Sequence, residues 1–178
     1  MASKQTGRGR RTIALLAASA TVAACASTVG AGSAAAVTNC DGLTAVTFSP
    51  GITFTPAPAS LTTGTVLARC ISTDRPDITG GTSDGALPSG QRSCLNPLIG
   101  GRRTRTYRWN TGETSTIDYV DNASYVAGNI VVEQLGTVVS GPFRGQGTSG
   151  TIVLTGNFPA CLTTGLTSVS GPHVLAIL

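Results

Sequence analysis

From Val37 onward the apolar positions recur with a period of two. The runs Leu43 to Phe48, Thr65 to Ile71, Thr104 to Trp109, Thr114 to Val120, Ile130 to Val139, Ser149 to Thr155 and Val174 to Leu178 are short and rich in Val, Ile, Thr and aromatics, with Gly, Pro, Asp and Asn between them. Such alternation sends successive side chains to opposite faces of a strand, and no segment after Val37 shows the longer period of an amphipathic helix. The pattern predicts an all-β domain, a β-sandwich or open barrel of about seven to nine mostly antiparallel strands.

The punctuation between the runs predicts specific turns. "SPGIT", Ser49 to Thr53, offers Pro50 and Gly51 for a type II turn that kinks one strand or joins two. "SGPFRGQG", Ser140 to Gly147, reads as a hairpin connection, and Gly136 reads as a bulge within its run. Asp74 to Pro88 reads as a long surface loop with one short strand near Ile78. The chain ends on "HVLAIL". An exposed edge of that composition would template aggregation, so this strand belongs inside a sheet.

The stretch "TYRWNTGETSTI", Thr106 to Ile117, contains the single tryptophan. Alternation puts Arg103, Arg105, Tyr107 and Trp109 on one face of a strand and Arg102, Thr104, Thr106 and Arg108 on the other. Asn110, Thr111 and Gly112 then suit a three-residue hairpin loop with a left-handed glycine. In one reading Trp109 and Tyr107 pack inward while Arg103 and Arg105 reach solvent near the strand end. In another, Trp109, Tyr107 and Arg105 form an outward ligand-binding stripe that stacks on sugar rings or anchors a protein; a dimer contact is a third.

The first 36 residues do not share the alternation. A basic head, Lys4, Arg8, Arg10 and Arg11, precedes an apolar run from Thr12 to Ala26 and a small-residue tract ending "GSAAA". This is the grammar of a secretory signal peptide, giving residues 1–36 as signal and 37–178 as a secreted all-β domain. Arg10 and Arg11 give it a weak likeness to a twin-arginine signal. Cleavage after Ala36 would release the domain. "VAAC", ending at Cys25, instead resembles a lipobox, and lipidation there would make the protein a surface-anchored lipoprotein. After Val37 no apolar run is long enough to span a membrane.

Removing the signal changes the charge. The formal net charge of +4 becomes zero, with eight basic and eight acidic residues after Val37, so the basic character is no argument for nucleic acid. Four cysteines remain, Cys40, Cys70, Cys94 and Cys161, on a chain bound for an oxidising compartment. Two disulfides follow, with a slight preference among the connectivities for Cys40 with Cys70 and Cys94 with Cys161. Their wide spacing does not suit zinc, so no metal is expected.

Catalytic chemistry finds little support. The one histidine, His173, reads as an ordinary residue at the start of the last strand. No spacing pairs Glu113, Glu133 or Asp118 for glycoside hydrolysis. Asp74, Asp77 and Asp84 share a loop without the dense ligand ladder of a calcium site, and no glycine-rich loop precedes a helix to cradle a cofactor phosphate.

The segments "TFSPGIT", "RWNTGETST", "GTVVSGPFRG" and "CLTTGLTSVSGP" resemble the recurrent segments of an uncharacterised family of small secreted β-rich proteins of actinomycete-type bacteria. The resemblance spans Cys40 to the C-terminus. It implies cleavage near Ala36 and an extracellular home, and it carries no catalytic residue onto this chain.

The sequence therefore points to an exported, non-enzymatic binding or structural β-domain that needs no cofactor. Its expected partner is an extracellular polysaccharide or protein, with carbohydrate or the cell envelope as targets and Tyr125 as a further aromatic. The alternative is a protein-interaction module such as a protease inhibitor, presenting "FPACLTTGLTS" or the Asp74 to Pro88 loop.

Overall fold

The computed structural model describes residues 37–98 and 100–178. The signal-peptide and Cys25 lipidation readings lie outside the described residues. Eight strands run in order: β1 (Thr38–Ile52), β2 (Ala57–Ser72), β3 (Gly81–Arg92), β4 (Gly101–Trp109), β5 (Thr114–Val126), β6 (Asn129–Ser140), β7 (Gly147–Gly156) and β8 (Leu166–Ile177), with a 3₁₀ turn at Phe158–Leu162. Each strand pairs antiparallel with the next, and β8 returns to β1 to close a barrel.

Closure explains why the apolar C-terminus is tolerated. β8 lies between β1 and β7, with Ile177 opposite both Thr38 and Thr148. The backbone that "HVLAIL" would expose as an edge is thus paired on both sides. Six of the seven apolar runs fall wholly within strands and the last, Val174 to Leu178, does so up to Ile177; the loop 141–146 joins β6 to β7 as the hairpin chemistry predicts. At the β4–β5 hairpin Gly112 has φ of 87°, and the Trp109 N–H donates to the Glu113 carbonyl at 2.9 Å.

Four local expectations are corrected. Asp74 to Pro88 is not one long loop, because residues 81–92 form β3, paired with β2 from Leu67–Gly81 to Ala57–Arg92. Ile78 is not in a strand; it is fully buried, on a loop tied down by a 2.7 Å hydrogen bond from the Cys70 N–H to the Thr79 carbonyl. "SPGIT" is not a type II turn: β1 continues through it to Ile52, with a cis Ser49–Pro50 peptide and no positive φ at Gly51. Gly136 is not a bulge. It pairs in register with Tyr119 and Thr148, and a Cβ there would lie 2.4 Å from the Asp118 carbonyl oxygen, so the glycine lets β5 approach closely.

The inward side chains form two apolar clusters separated by a polar layer. One cluster includes Val46, Phe48, Leu61, Val132, Leu154 and Val169; the other includes Leu67, Tyr107, Trp109, Ile117, Val138 and Leu175. Between their members come Thr44 on β1, Thr63 and Thr65 on β2, Gln134 on β6 and His173 on β8, and Arg105 follows Tyr107 inward on β4. An eight-stranded barrel has an interior that side chains just fill, or that holds one small ligand.

Two disulfides staple this wall. Cys40 and Cys70 face each other across the β1–β2 ladder, and Cys94 joins Cys161, tying the β3–β4 connection to the 3₁₀ turn. Among the described residues no helix is long and apolar enough to cross a membrane.

Candidate functional site

The barrel has one weak seam. Among the described residues β3 and β4 pair only at Gly81–Trp109 and Thr82–Arg108, whereas β4 pairs with β5 from Gly101–Asp121 to Arg108–Thr114. β3 reads "GTSDGALPSGQR", whose glycines and proline weaken a ladder. Past Thr82 the two strands part, while β3 stays paired to β2.

A cavity of about 110 Å³ lies behind this slot. Inward residues Leu61, Val132, Gln134 and Arg105 line it, and so do Asp84, Ala86 and Thr104, which sit on the outward-facing positions of β3 and β4. Lining by both faces means that the cavity opens through the wall.

Its electrostatics are uneven. Arg92, only 5% exposed, donates to the carbonyls of Ala59, Pro97 and Pro88, while Arg103 pairs with Asp121 at 3.2 Å. Arg105 donates to Thr65 Oγ1 at 3.2 Å and Thr63 Oγ1 at 3.4 Å, and its guanidinium lies against the Tyr119 ring. Among the described residues neither Arg92 nor Arg105 forms an ion pair, and the other acids with arginine partners, Asp41, Asp77, Glu113 and Asp118, make those pairs on the outside. Burial, and secondarily the charge of Arg103, lowers the proton affinity of Arg92.

Gln134 adds neutral hydrogen-bonding capacity. It is 8% exposed and lines the cavity, and its side-chain amide makes no hydrogen bond among the described residues. Gly150 makes room for it, since a Cβ there would stand 3.3 Å from Gln134 Oε1. Deeper in, Thr44 Oγ1 meets Thr65 Oγ1 at 2.9 Å and His173 Nδ1 at 3.0 Å. His173 is mid-strand rather than at a strand start, because β8 begins at Leu166; it is fully buried, and Nε2 has no partner among the described residues. Burial, aided by the charge of Arg105, lowers its pKa to about 4.

All three sequence-identified ligand-binding suspects face inward, but into different surroundings. Trp109 and Tyr107 are each 2% exposed, stacked at 5.9 Å between ring centroids, with Phe143 edge-on to Trp109. The indole N–H donates to Ser115 Oγ at 2.8 Å. These rings are core rather than surface platforms. Arg105 lines the cavity, and Arg103 also turns inward rather than reaching solvent at the strand end, because β4 keeps strict alternation along its whole length. The remaining aromatic suspect, Tyr125, is outside the barrel, 53% exposed and edge-on to Phe158.

Sequence reasoning missed Gln134, and a signal for it existed. It shares the inward parity of Ile130 and Val132, so a polar residue stands where the alternation calls for an apolar one. A second hollow, about 470 Å³, lies between the end of β7 and the start of β8, but its lining, Thr155 to Asn157 and Thr164 to Ser170 with Ala160, offers neither a charge nor an aromatic ring. Asp74, Asp77 and Asp84 do not converge: Asp74 accepts from Gln146, Asp77 from Arg75, and Asp84 stands at the slot. The chain matches no family model, no curated protein and no solved structure.

Proposed function

We propose that this chain is an exported, non-catalytic binding protein that takes a small ligand into the barrel through the β3–β4 slot. The observation that carries this reading is the cavity open at that slot, with Arg105 and Gln134 turned into it and no carboxylate paired to Arg105 among the described residues. Buried charge is costly unless compensated, and a ligand that supplies the compensation is selected by that cost. The two disulfides suit an oxidising, extracellular setting. His173 supports the non-catalytic reading, since a histidine with a pKa of about 4 is a poor general base near neutrality.

The test is native mass spectrometry of the protein recovered from culture medium, with Leu87→Trp as a plug at the slot. The proposal expects a bound small molecule, lost on denaturation and absent from the plugged variant. A wild-type protein without bound molecules, whose thermal stability responds no differently from Leu87→Trp to a panel of small compounds, would contradict it.

A second reading, a protein-interaction module of the inhibitor type, draws on another observation. Leu95 and Leu162 directly follow the disulfide-linked Cys94 and Cys161 and are 73% and 77% exposed. Apolar side chains on a pinned backbone suit a protein partner. Inhibition of an extracellular protease that is lost in Leu162→Asp and kept in Leu87→Trp would favour this reading over the first.

A further inference from the structure

We propose that the ligand is a monocarboxylate with an apolar body, its head group held by Arg105 and Gln134. This rests on the interior-site reading and narrows it to a chemical class. The sign of the charge comes first. Arg103 and Arg105 line the cavity from β4; among the described residues Arg103 is paired with Asp121, Arg105 is in no ion pair, and Asp84 stands at the mouth on an outward-facing position of β3. A cation deep in the cavity would be repelled by the buried guanidinium of Arg105; an anion offsets it.

The number of charges follows from the lining. Arg103 and Asp121 offset each other and Asp84 borders the cavity as well, so a dianion such as a phosphate monoester would carry two charges against the single guanidinium of Arg105 and meet the Asp84 carboxylate besides. A single negative charge fits better. A guanidinium has more donors than Thr63 and Thr65 use, and carboxylate oxygens match its planar spacing. Gln134 contributes an amide with no protein partner, nine-tenths buried and bordering the same space.

The apolar body follows from the rest of the lining. Leu61, Leu87, Val132, Ile152 and Leu154 surround the cavity with aliphatic surface. Benzene fills an enclosed cavity of about 150 Å³. The 110 Å³ here therefore holds a carboxylate and a few carbons, and a longer body leaves through the slot past Gly85 and Ala86.

Calorimetric titration of the native, disulfide-bonded protein near neutral pH with hexanoate, hexanol and acetate tests the assignment. Hexanoate should bind about tenfold or more tightly than either comparison compound, since hexanol lacks the charge and acetate lacks the body. Arg105→Gln should weaken hexanoate by about tenfold and leave hexanol unchanged. Gln134→Leu, which keeps the cavity polar at Arg105, should also weaken hexanoate; it serves if Arg105→Gln does not fold, and the wild-type comparison needs no variant. Hexanol binding as tightly as hexanoate would overturn the anion assignment and leave the interior site standing. Acetate equal to hexanoate would overturn the apolar body. If none of the three binds while the native protein still carries a molecule that Leu87→Trp excludes, the chemical class is wrong. If that molecule is missing as well, the interior-site reading fails with it.

Discussion

The guanidinium of Arg105 lies 5.9 Å from the centroid of the Tyr119 ring, inside the barrel, while Arg102 and Arg108 on the same strand face solvent. An aromatic face and two threonine hydroxyls only partly replace the water that a buried guanidinium gives up. The interior-site reading therefore expects that holding Arg105 there costs stability, as a charge kept for binding does. Arg105→Met, which fills similar space without the charge, should stabilise the empty protein by about 1 kcal/mol, raising the melting temperature by about 3 °C. Thermal unfolding monitored by circular dichroism checks this. A clear loss of stability would mean that the hydroxyl contacts outweigh desolvation.

Trp109 is a structural residue. Its ring is packed between Tyr107 and Phe143, its N–H is satisfied by Ser115, and the Ser115 hydroxyl in turn donates to the Pro142 carbonyl at 2.7 Å. Emission from the native protein should be that of a dry indole. Ser115→Ala would strand both the indole N–H and the carbonyl, costing about 1–3 kcal/mol in chemical denaturation. Trp109→Ala should cost about 3–5 kcal/mol.

His173 gives the fold a defined pH dependence. Its ordinary value of 6.5 falls to about 4 in the folded state. Between these values the unfolded chain takes up a proton that the folded chain refuses. Stability is complete above about pH 6.5, declines as pH falls toward 4 and levels off below, a total of about 3 kcal/mol. Asp77, Glu113 and Asp118, whose proton affinities are lowered first by hydrogen bonds from Arg75 or Arg102, lose their contributions as pH falls from the ordinary carboxylate range downward. Denaturation curves for wild type and His173→Gln should differ in slope across the window from 6.5 to 4. Equal slopes would show that the ring titrates freely in the native protein.

Closure of the barrel depends on β8. Deleting residues 174–178 removes pairing to both β1 and β7 and exposes two strand edges together. The expected product is insoluble; a monomeric, folded truncated protein would contradict the closed topology. The disulfides work on the same wall from the unfolded side. Their sequence separations of 30 and 67 residues correspond to about 4 kcal/mol each in the chain-entropy model. Replacing Cys94 and Cys161 with Ala should lower stability by about that much, measured by urea denaturation.

The strands with strong alternation were legible because one face of each packs against a core. β3 was not. Its inward positions are Ser83, Gly85 and Leu87, and its pairing comes from β2 rather than from any pattern of its own, so the segment looks like a loop until its neighbour is in place. Pro88 sits at the register shift opposite Ala59 and Leu61, on a strand that has lost its other neighbour, where a missing N–H does little harm. The cavity was hidden for a related reason. Thr44 and His173 touch across 129 residues of sequence, and each looks like an isolated polar residue on its own strand. Arg103 and Arg105 were placed on the correct face with Tyr107 and Trp109. Nothing local shows that the face is enclosed at that end, since enclosure is a property of the closed barrel.

The most direct measurement is a titration of nitrogen-labelled protein with hexanoate, followed by nuclear magnetic resonance. The account predicts that the Gln134 side-chain amide, the Arg105 Nε–H and the backbone amides of Gly85 and Leu87 shift together and saturate, while Val174 on the outer face of β8 stays in place. Shifts confined to exposed positions such as Leu95 and Leu162, or no saturable shift at Arg105 and Gln134, would contradict it.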